Sequence, residues 1–403
     1  MSGVPRVLVT DASRGSAIAF IRSLGRRGVD VIAADHHPRS PGFRSRYARR
    51  CVVYPDPARD PDGAIEALFD VVARGDVDLV VPVSDEILLP LSAGRERFAD
   101  RCALAIPEPE ALRAVTDKAA TVALGRRLGV PTPRTALARD VDEALALAPA
   151  LGWPVVVKPV ASRVYRDGGM EAFSVAYADS PDGLAAQIER LEGRSAALLQ
   201  EYHPGEGHGV ELLTDRGRPL AAFQHRRLHE VPITGGASAL RESVALDPEL
   251  YAHATRLLAA LHWTGLAMVE FRVTPDGPIL MEINGRIWGS LPLAVKSGVD
   301  FPWRLLELHL GERDDPAPRP APAAGVRSRN LGLELVWIAS VLRRRRRYPF
   351  LPSPRRRDAL AAAMRLPWPR DGFDILCRDD PLPAFAELAG VTGRLARKAF
   401  DGA

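Results

Sequence analysis

The sequence predicts a multidomain protein of mixed α/β and α+β class: an N-terminal open α/β sheet, an α+β central region and a small C-terminal extension. Three observations carry that reading. A chain of 403 residues is longer than one compact domain usually holds. Strand-like and helix-like patterns alternate with short links over the first hundred residues, as an open α/β sheet requires. Beyond residue 112 the pattern changes, and near 315 a proline/alanine stretch, DDPAPRPAPAAG (314–325), reads as a linker.

VPRVLVT (4–10) reads as a buried strand, SAIAFIRSLGRRG (16–28) as a helix closed by glycine, and VDVIAAD (29–35) as a second strand. A helix over 63–75 then leads into VDLVVPVSD (77–85), a continuous apolar run typical of a parallel strand buried on both faces. Residues 112–135 read as one helix ended by Gly129 and a proline-punctuated turn. WPVVVKP (153–159) is a strand followed by a glycine-bearing loop, ASRVYRDGG (161–169), and AALLQEYHPGEG (196–207) is a strand entering a Pro/Gly turn. A helix over 250–263 precedes two strands, 265–274 and 278–286, and no internal repeat is visible.

Composition narrows the function class. The formal net charge of +4 is too small to argue for nucleic acid, and the pI near 9.1 owes part of its height to Arg343–Arg347. Few aromatics are interleaved with those arginines, so an anionic membrane surface or an acidic partner suits the run better than nucleic acid; a packed helix with a solvated basic end is the plainer reading. Three widely spaced cysteines (Cys51, Cys102, Cys377) form neither a disulfide framework nor a zinc pattern. The N-terminus lacks the basic start and apolar core of a signal peptide, and no apolar run approaches the ~20 residues that span a bilayer, so a cytoplasmic location is expected. Only four of the 54 basic residues are lysines: Lys118, Lys158, Lys296 and Lys398. In so arginine-biased a chain, a surviving lysine is enriched where a slim point charge is wanted instead of a planar fork.

The strongest chemical signal lies on the two strands after residue 265. Glu270 interrupts AMVEFRV and Glu282 interrupts PILMEINGR, where carboxylates should be rare. Period-two alternation puts Glu282 and Asn284 on one face, and the short turn at Asp276–Gly277–Pro278 lets the strands pair antiparallel, bringing Glu270 alongside. Three hard oxygen ligands in an apolar setting suit Mg²⁺, which keeps waters and takes further ligands from phosphates.

With TDK (116–118), PVVVKP (154–159), QEYHPGEG (200–207), ALRES (239–243), VEFRV (269–273) and MEINGR (281–286), the chain resembles the ATP-grasp superfamily of carboxylate–amine ligases. The likeness covers roughly residues 1–312 and is nearest the branch of carbamoyl-phosphate synthase, D-alanine ligase and biotin carboxylase. It implies a Rossmann-like pre-ATP-grasp domain (1–112), a two-lobed ATP-grasp domain (113–315, lid subdomain about 150–205) and a C-terminal extension with a basic helix (316–403). It also implies roles: Lys118 and Lys158 on ATP phosphates; Gln200, Glu201, Tyr202 and His203 as the hinge that reads adenine; Glu201 or Glu206 on the ribose; the 161–169 loop as the lid. Glu270, Glu282 and Asn284 would hold Mg²⁺, with Mn²⁺ able to substitute, and Arg286, helped by Arg241 or Arg226, would steady the transferring phosphoryl group. The implied reaction phosphorylates a small-molecule carboxylate and joins it to an amine; phosphotransfer without ligation, as in a carbamoyl-phosphate-type enzyme, or a nucleotide-binding regulator are the alternatives, and a homodimer fits the family.

VLVTDASRGSA (7–17) lacks a full G-x-G-x-x-G, and no Tyr has a Lys four residues later, which argues against a short-chain dehydrogenase. Ser84, Asp85 and Glu86, at the carboxyl end of a parallel strand, are candidates for the acyl-substrate cleft. His225 and His229 would share a face if their segment were helical, but no HExxH accompanies them. His208 or His229 is better suited to a place near nucleotide or substrate. Residues 373–390 read as a short strand and a capped helix, so the C-terminal segment is expected to fold.

Overall fold

A computed structural model describes residues 3–390 except 76, 161–162, 167–168, 174, 192–193, 312–321, 344–347 and 366–371; the side chains of 163–166, 169–172 and 365 are also outside the description. Much of the expected linker, nearly all of the arginine run and the side chains of the expected lid loop therefore lie outside the described residues.

The first sheet is parallel throughout. Its strands are β1 (Arg6–Val9), β2 (Asp30–Asp35), β3 (Arg50–Val53), β4 (Leu79–Val81) and β5 (Ala103–Leu104), in the order β3-β2-β1-β4-β5. Helices α1 (Gly15–Arg26), α2 (Pro61–Ala73) and α3 (Asp85–Ala93) follow β1, β3 and β4 as crossovers. Continuous burial of Val7–Val9 and Leu79–Val81 reflects coverage on both faces.

The expected single helix over 112–135 is two: α4 (Pro109–Thr116) and α5 (Lys118–Arg127). The break has a local cause. Asp117 is extended, and its carboxylate accepts from the backbone N–H groups of Ala119 and Ala120, capping α5. Lys118 thereby becomes the first residue of a helix, and its N–H donates to the Val160 carbonyl at 3.2 Å.

A small antiparallel sheet follows, order β10-β7-β11-β6, from β6 (Thr135–Ala138), β7 (Val155–Pro159), β10 (Ala176–Ala178) and β11 (Ala197–Glu201). Helices α6 (Val141–Leu151) and α7 (Pro181–Glu189) cover it, and β8 (Arg163–Arg166) with β9 (Gly169–Ala172) form a separate hairpin.

The third sheet has seven strands, β16-β15-β12-β13-β14-β17-β18: β12 (Glu206–Asp215), β13 (Arg218–Val231), β14 (Ala237–Val244), β15 (Gly265–Thr274), β16 (Gly277–Asn284), β17 (Arg327–Arg329) and β18 (Gly372–Phe373). His225 and His229 sit on strand β13, not on a helix. Helix α8 (Pro248–Ala260) backs this sheet, while α9 (Leu291–Lys296) and α10 (Phe301–Leu310) pack between it and α1.

The C-terminal segment is stitched to both neighbours. Strands β17 and β18 extend the large sheet, and α11 (Leu331–Arg343) lies on β13 and β14, with the Trp337 ring stacked 3.6 Å from that of His229. Glu334, fully buried, pairs with His229 Nδ1 at 3.0 Å. Farther along, Asp380 accepts from Arg22 Nε of α1 (2.8 Å), Ser45 Oγ (2.7 Å) and the Arg46 N–H (2.9 Å), while Arg22 Nη1 donates to the Ile375 carbonyl. No helix among the described residues is long and apolar enough to cross a membrane.

Arg22 and Asp380 are only 6% and 1% exposed, so removing one partner strands a buried charge. Asp380→Ala should therefore lower unfolding free energy by about 3–5 kcal/mol, read as a fall in the urea midpoint. An unchanged midpoint would show that this anchor carries no stability.

Candidate active site

A cavity of about 690 Å³ lies between the small sheet, the large sheet and the C-terminal segment, a volume ordinary for a small-molecule site. Strands β15 and β16 supply its floor. Glu270 and Glu282 are direct cross-strand partners, and Asn284 Nδ2 donates to Glu270 Oε1 (2.9 Å) and Glu282 Oε1 (3.1 Å). Two carboxylates face to face repel, so the pair needs compensation from elsewhere. It comes from three other elements: Arg227 of β13 pairs with Glu270, while Lys118 of α5 and Lys158 of β7 act on Glu282. Burial pushes both carboxyls upward. For Glu270 burial prevails over Arg227, with Glu282 reinforcing it; for Glu282 the two lysines prevail, and its carboxyl ends below the usual range. Burial also lowers Lys158, to about 8, with Lys118 beside it adding to the effect while Glu282 opposes.

The donor set fits a divalent cation. A donor NH₂ bridging two carboxylates does in part what a cation between them would do, and carboxylate and amide oxygens are the ligands hard cations take. Glu270, Glu282 and the Asn284 amide are the residues that would hold it.

At another end of the cavity, Gln200 and Glu201 close β11 and Tyr202 and His203 follow it, all four lining the space. Gln200 is buried and donates to Thr135 Oγ1 at 3.1 Å. Glu201 accepts a two-pronged bond from Arg134 (Nε 2.9 Å, Nη2 3.1 Å). Tyr202 meets Tyr177 edge-on at 6.1 Å, and Tyr348 and Leu351 of the C-terminal segment pack beside them and Val156. Val156, Tyr177, Tyr202, Tyr348 and Leu351 give this end an apolar wall against which a flat ring could lie.

Arg286 lines the cavity, and its Nε donates to Asp85 Oδ2 (3.0 Å), a carboxylate at the start of α3 in the N-terminal α/β unit. Ser84, by contrast, is committed to Asp11: its Oγ and N–H both donate to that carboxylate. Arg241 also borders the cavity but is 1% exposed, and both its Nη atoms are engaged, Nη1 with the Ser238 carbonyl and Nη2 with Asp374 and the Gly289 carbonyl. That makes it a structural tie to the C-terminal segment and not a free cation.

Arg226 and Glu206 depart from expectation: neither lines the cavity. They lie 3.8 Å from each other, with Arg226 bound to Glu242, on the opposite face of the sheet. The reason is strand parity. Gly209 pairs with Glu270 on one side and His225 on the other, so the cavity row of β13 is His225 and Arg227. Arg227, Glu230 and Arg272 are the charged residues that sequence reasoning missed; Glu230 bridges the two arginines at 3.4 Å each. A basic pair, Arg226–Arg227, was visible, but only the register says which one turns inward.

Lysines, arginines and a cation site along one wall can neutralise charge on a polyphosphate, leaving positioning as the main task. Glu282→Gln should weaken the Mg²⁺-dependent part of ADP binding by about 10–100-fold, measured calorimetrically with and without EDTA. Equal affinity in both proteins would remove Glu282 from any metal site.

Comparison with known proteins agrees with this geometry. Residues 194–331 match the family described as "ATP-grasp in the biosynthetic pathway with Ter operon". The chain is 23% identical over 285 residues to the formate-dependent phosphoribosylglycinamide formyltransferase of Ignicoccus hospitalis, 65% of each chain. It is 29% identical over 298 residues to that of Synechococcus elongatus, 70% of each. The aligned part thus spans about two thirds of these relatives' length. Among solved structures, the biotin carboxylase domain of Hydrogenobacter thermophilus 2-oxoglutarate carboxylase, in complex with MgADP, ADP and bicarbonate, superposes with a TM-score of 0.63 at 18% identity, covering 81% of this chain and 74% of that one. An L-amino acid ligase from Bacillus licheniformis gives 0.59 at 18% identity, covering 76% and 75%. Parallel sheet, small antiparallel lobe and seven-stranded lobe thus make up a fold shared with these solved structures, and the segment that carries the carboxylate strands, 194–331, is the part that matches the ATP-grasp family.

Proposed function

We propose that this protein is an ATP-dependent ligase that phosphorylates a small-molecule carboxylate and joins the resulting acyl phosphate to an amine. The observation that carries the reading is the Glu270–Asn284–Glu282 cluster with Lys118, Lys158 and Arg227 around it, in a cavity with an apolar wall at one end. The ligase named for Bacillus licheniformis and the formyltransferases supply the analogy for C–N bond formation.

Each residue then has a task. The apolar wall beside Gln200–His203 receives adenine, and Lys118 and Lys158 meet the phosphates. A bound Mg²⁺ would draw electron density from the phosphate oxygens, easing their charge. Arg286 holds the carboxylate against its like-charged phosphoryl donor, and Asp85 aims the guanidinium. An ionised carboxylate is a poor electrophile; as an acyl phosphate it carries a leaving group that an amine can displace. Among the two-lobed fold's elements, the small sheet covers the phosphates and limits hydrolysis of the mixed anhydride. Small-molecule partners follow from the cavity size; Mn²⁺ would suit the same oxygen donors.

ADP release screened over amino acids and small carboxylates, with hydroxylamine as trap, tests this. Carboxylate-dependent ADP release and hydroxamate should appear in wild type and fall by at least about 100-fold in Lys158→Ala, the scale of losing one transition-state contact. Release that needs a carboxylate but never an amine would favour simple phosphotransfer. Tight MgATP binding without turnover on any carboxylate would leave a nucleotide-binding regulator.

A further inference from the structure

Below the reactive end of the cavity lies a buried acid–imidazole pair that the mechanism above does not use. Glu211 of β12 is 0% exposed and His225 of β13 is 1% exposed, and His225 Nδ1 lies 2.5 Å from Glu211 Oε1. Ser290 Oγ, just before α9, donates to the same oxygen at 3.3 Å. His225 borders the cavity beside Gly289, Ser290 and Met268, one strand from Glu270 through their shared register partner, Gly209. A Cβ at Gly209 would come within 2.6 Å of His225 Cε1, so glycine is what lets the ring lie there. Among the described residues its Nε2 has no hydrogen-bond partner, nor has Glu211 Oε2, an expensive condition for buried polar atoms.

We propose that His225 is a catalytic residue whose Nε2–H, held in that tautomer by a protonated Glu211, donates to the acyl oxygen as the amine attacks. This rests on the ligase reading and specifies its second half. Burial holds the Glu211 carboxyl well above the usual carboxylate range, and burial with Arg227 and Arg241 nearby holds His225 well below the usual imidazole range, against the opposing pull of Glu230. The pair is therefore acid plus neutral ring: the carboxyl proton goes to Nδ1, which leaves the ring's own proton on Nε2. In the step itself, the amine nitrogen bonds to the carbonyl carbon and the C=O π pair becomes an oxyanion facing Nε2–H. Its collapse re-forms C=O and expels phosphate with the C–O electron pair, and the amine proton leaves with that phosphate. Glu211 and Ser290 are positioning residues.

The sign of the pH dependence follows. Raising the pH through the elevated Glu211 value ionises the carboxyl, draws the ring proton to Nδ1 and removes the donor from Nε2. Amide formation should fall at high pH, and Glu211→Gln, whose amide N–H can still donate to Nδ1, should keep its rate within about 5-fold and lose that fall. His225→Asn retains a donor near the Nδ1 position but deletes Nε2; amide formation should drop about 100–1,000-fold, the cost of one oxyanion donor, with MgADP affinity within about 2-fold. Loss of activity in Glu211→Gln as severe as in His225→Asn, or no loss in His225→Asn, overturns the proposal. If His225→Asn does not fold, ¹⁵N spectra of the wild-type imidazoles decide: a protonated Nε2 at neutral pH supports it, a protonated Nδ1 with bare Nε2 overturns it. A wild-type protein that binds MgADP yet releases ADP with no carboxylate sinks the ligase reading itself, before any His225 variant is compared.

Discussion

Two carboxylates placed opposite each other on adjacent strands set the terms for the rest of this molecule. Glu270 and Glu282 cannot both stay charged in a half-buried sheet without cations supplied from outside it. Those cations come from three separate places: α5, the small sheet and β13. The cleft is therefore tied together by the same charges that a nucleotide and its metal would meet. Such an arrangement spends fold stability on function, since replacing the cluster with apolar side chains would pack the sheet better.

The peripheral elements serve that centre. Asp117 breaks a helix so that Lys118 begins the next one, its backbone tied to the end of the strand that carries Lys158. Asp85, at the start of α3, brings the N-terminal α/β unit into the site by holding Arg286. Arg241, buried and paired with Asp374, and Asp380, buried against Arg22, clamp the C-terminal segment to the large sheet and to α1. Leu351 and Pro352 then line the cavity, with Tyr348 and Phe350 packed behind, so the extension is part of the cleft and not an appendage.

Much of the fold was legible because its signals are local. Continuous apolar runs marked the parallel strands, and carboxylates interrupting two such runs marked Glu270 and Glu282. Asn284 followed from alternation along one strand. What was not legible depended on partners distant in sequence. Arg226 and Arg227 are equivalent neighbours until the pairing of Gly209 with both His225 and Glu270 fixes the parity of β13. Glu211 reads as one more polar residue in a strand until His225 is found 2.5 Å away. Arg241 reads as a free cation until Asp374, 133 positions later, closes on it. The helix break at Asp117 had a local signal, an N-cap carboxylate, that the continuous apolar periodicity concealed.

The central claim is that this cluster moves a phosphoryl group from ATP to a carboxylate. Positional isotope exchange in ATP labelled with ¹⁸O at the β,γ-bridge tests it most directly, with Mg²⁺ and a carboxylate present and amine absent. Scrambling of the bridge label that requires the carboxylate is the expected result, because acyl phosphate and ADP would form reversibly in the cleft. Wild-type protein that binds MgATP but scrambles no label with any carboxylate, even those that support ADP release, would contradict it.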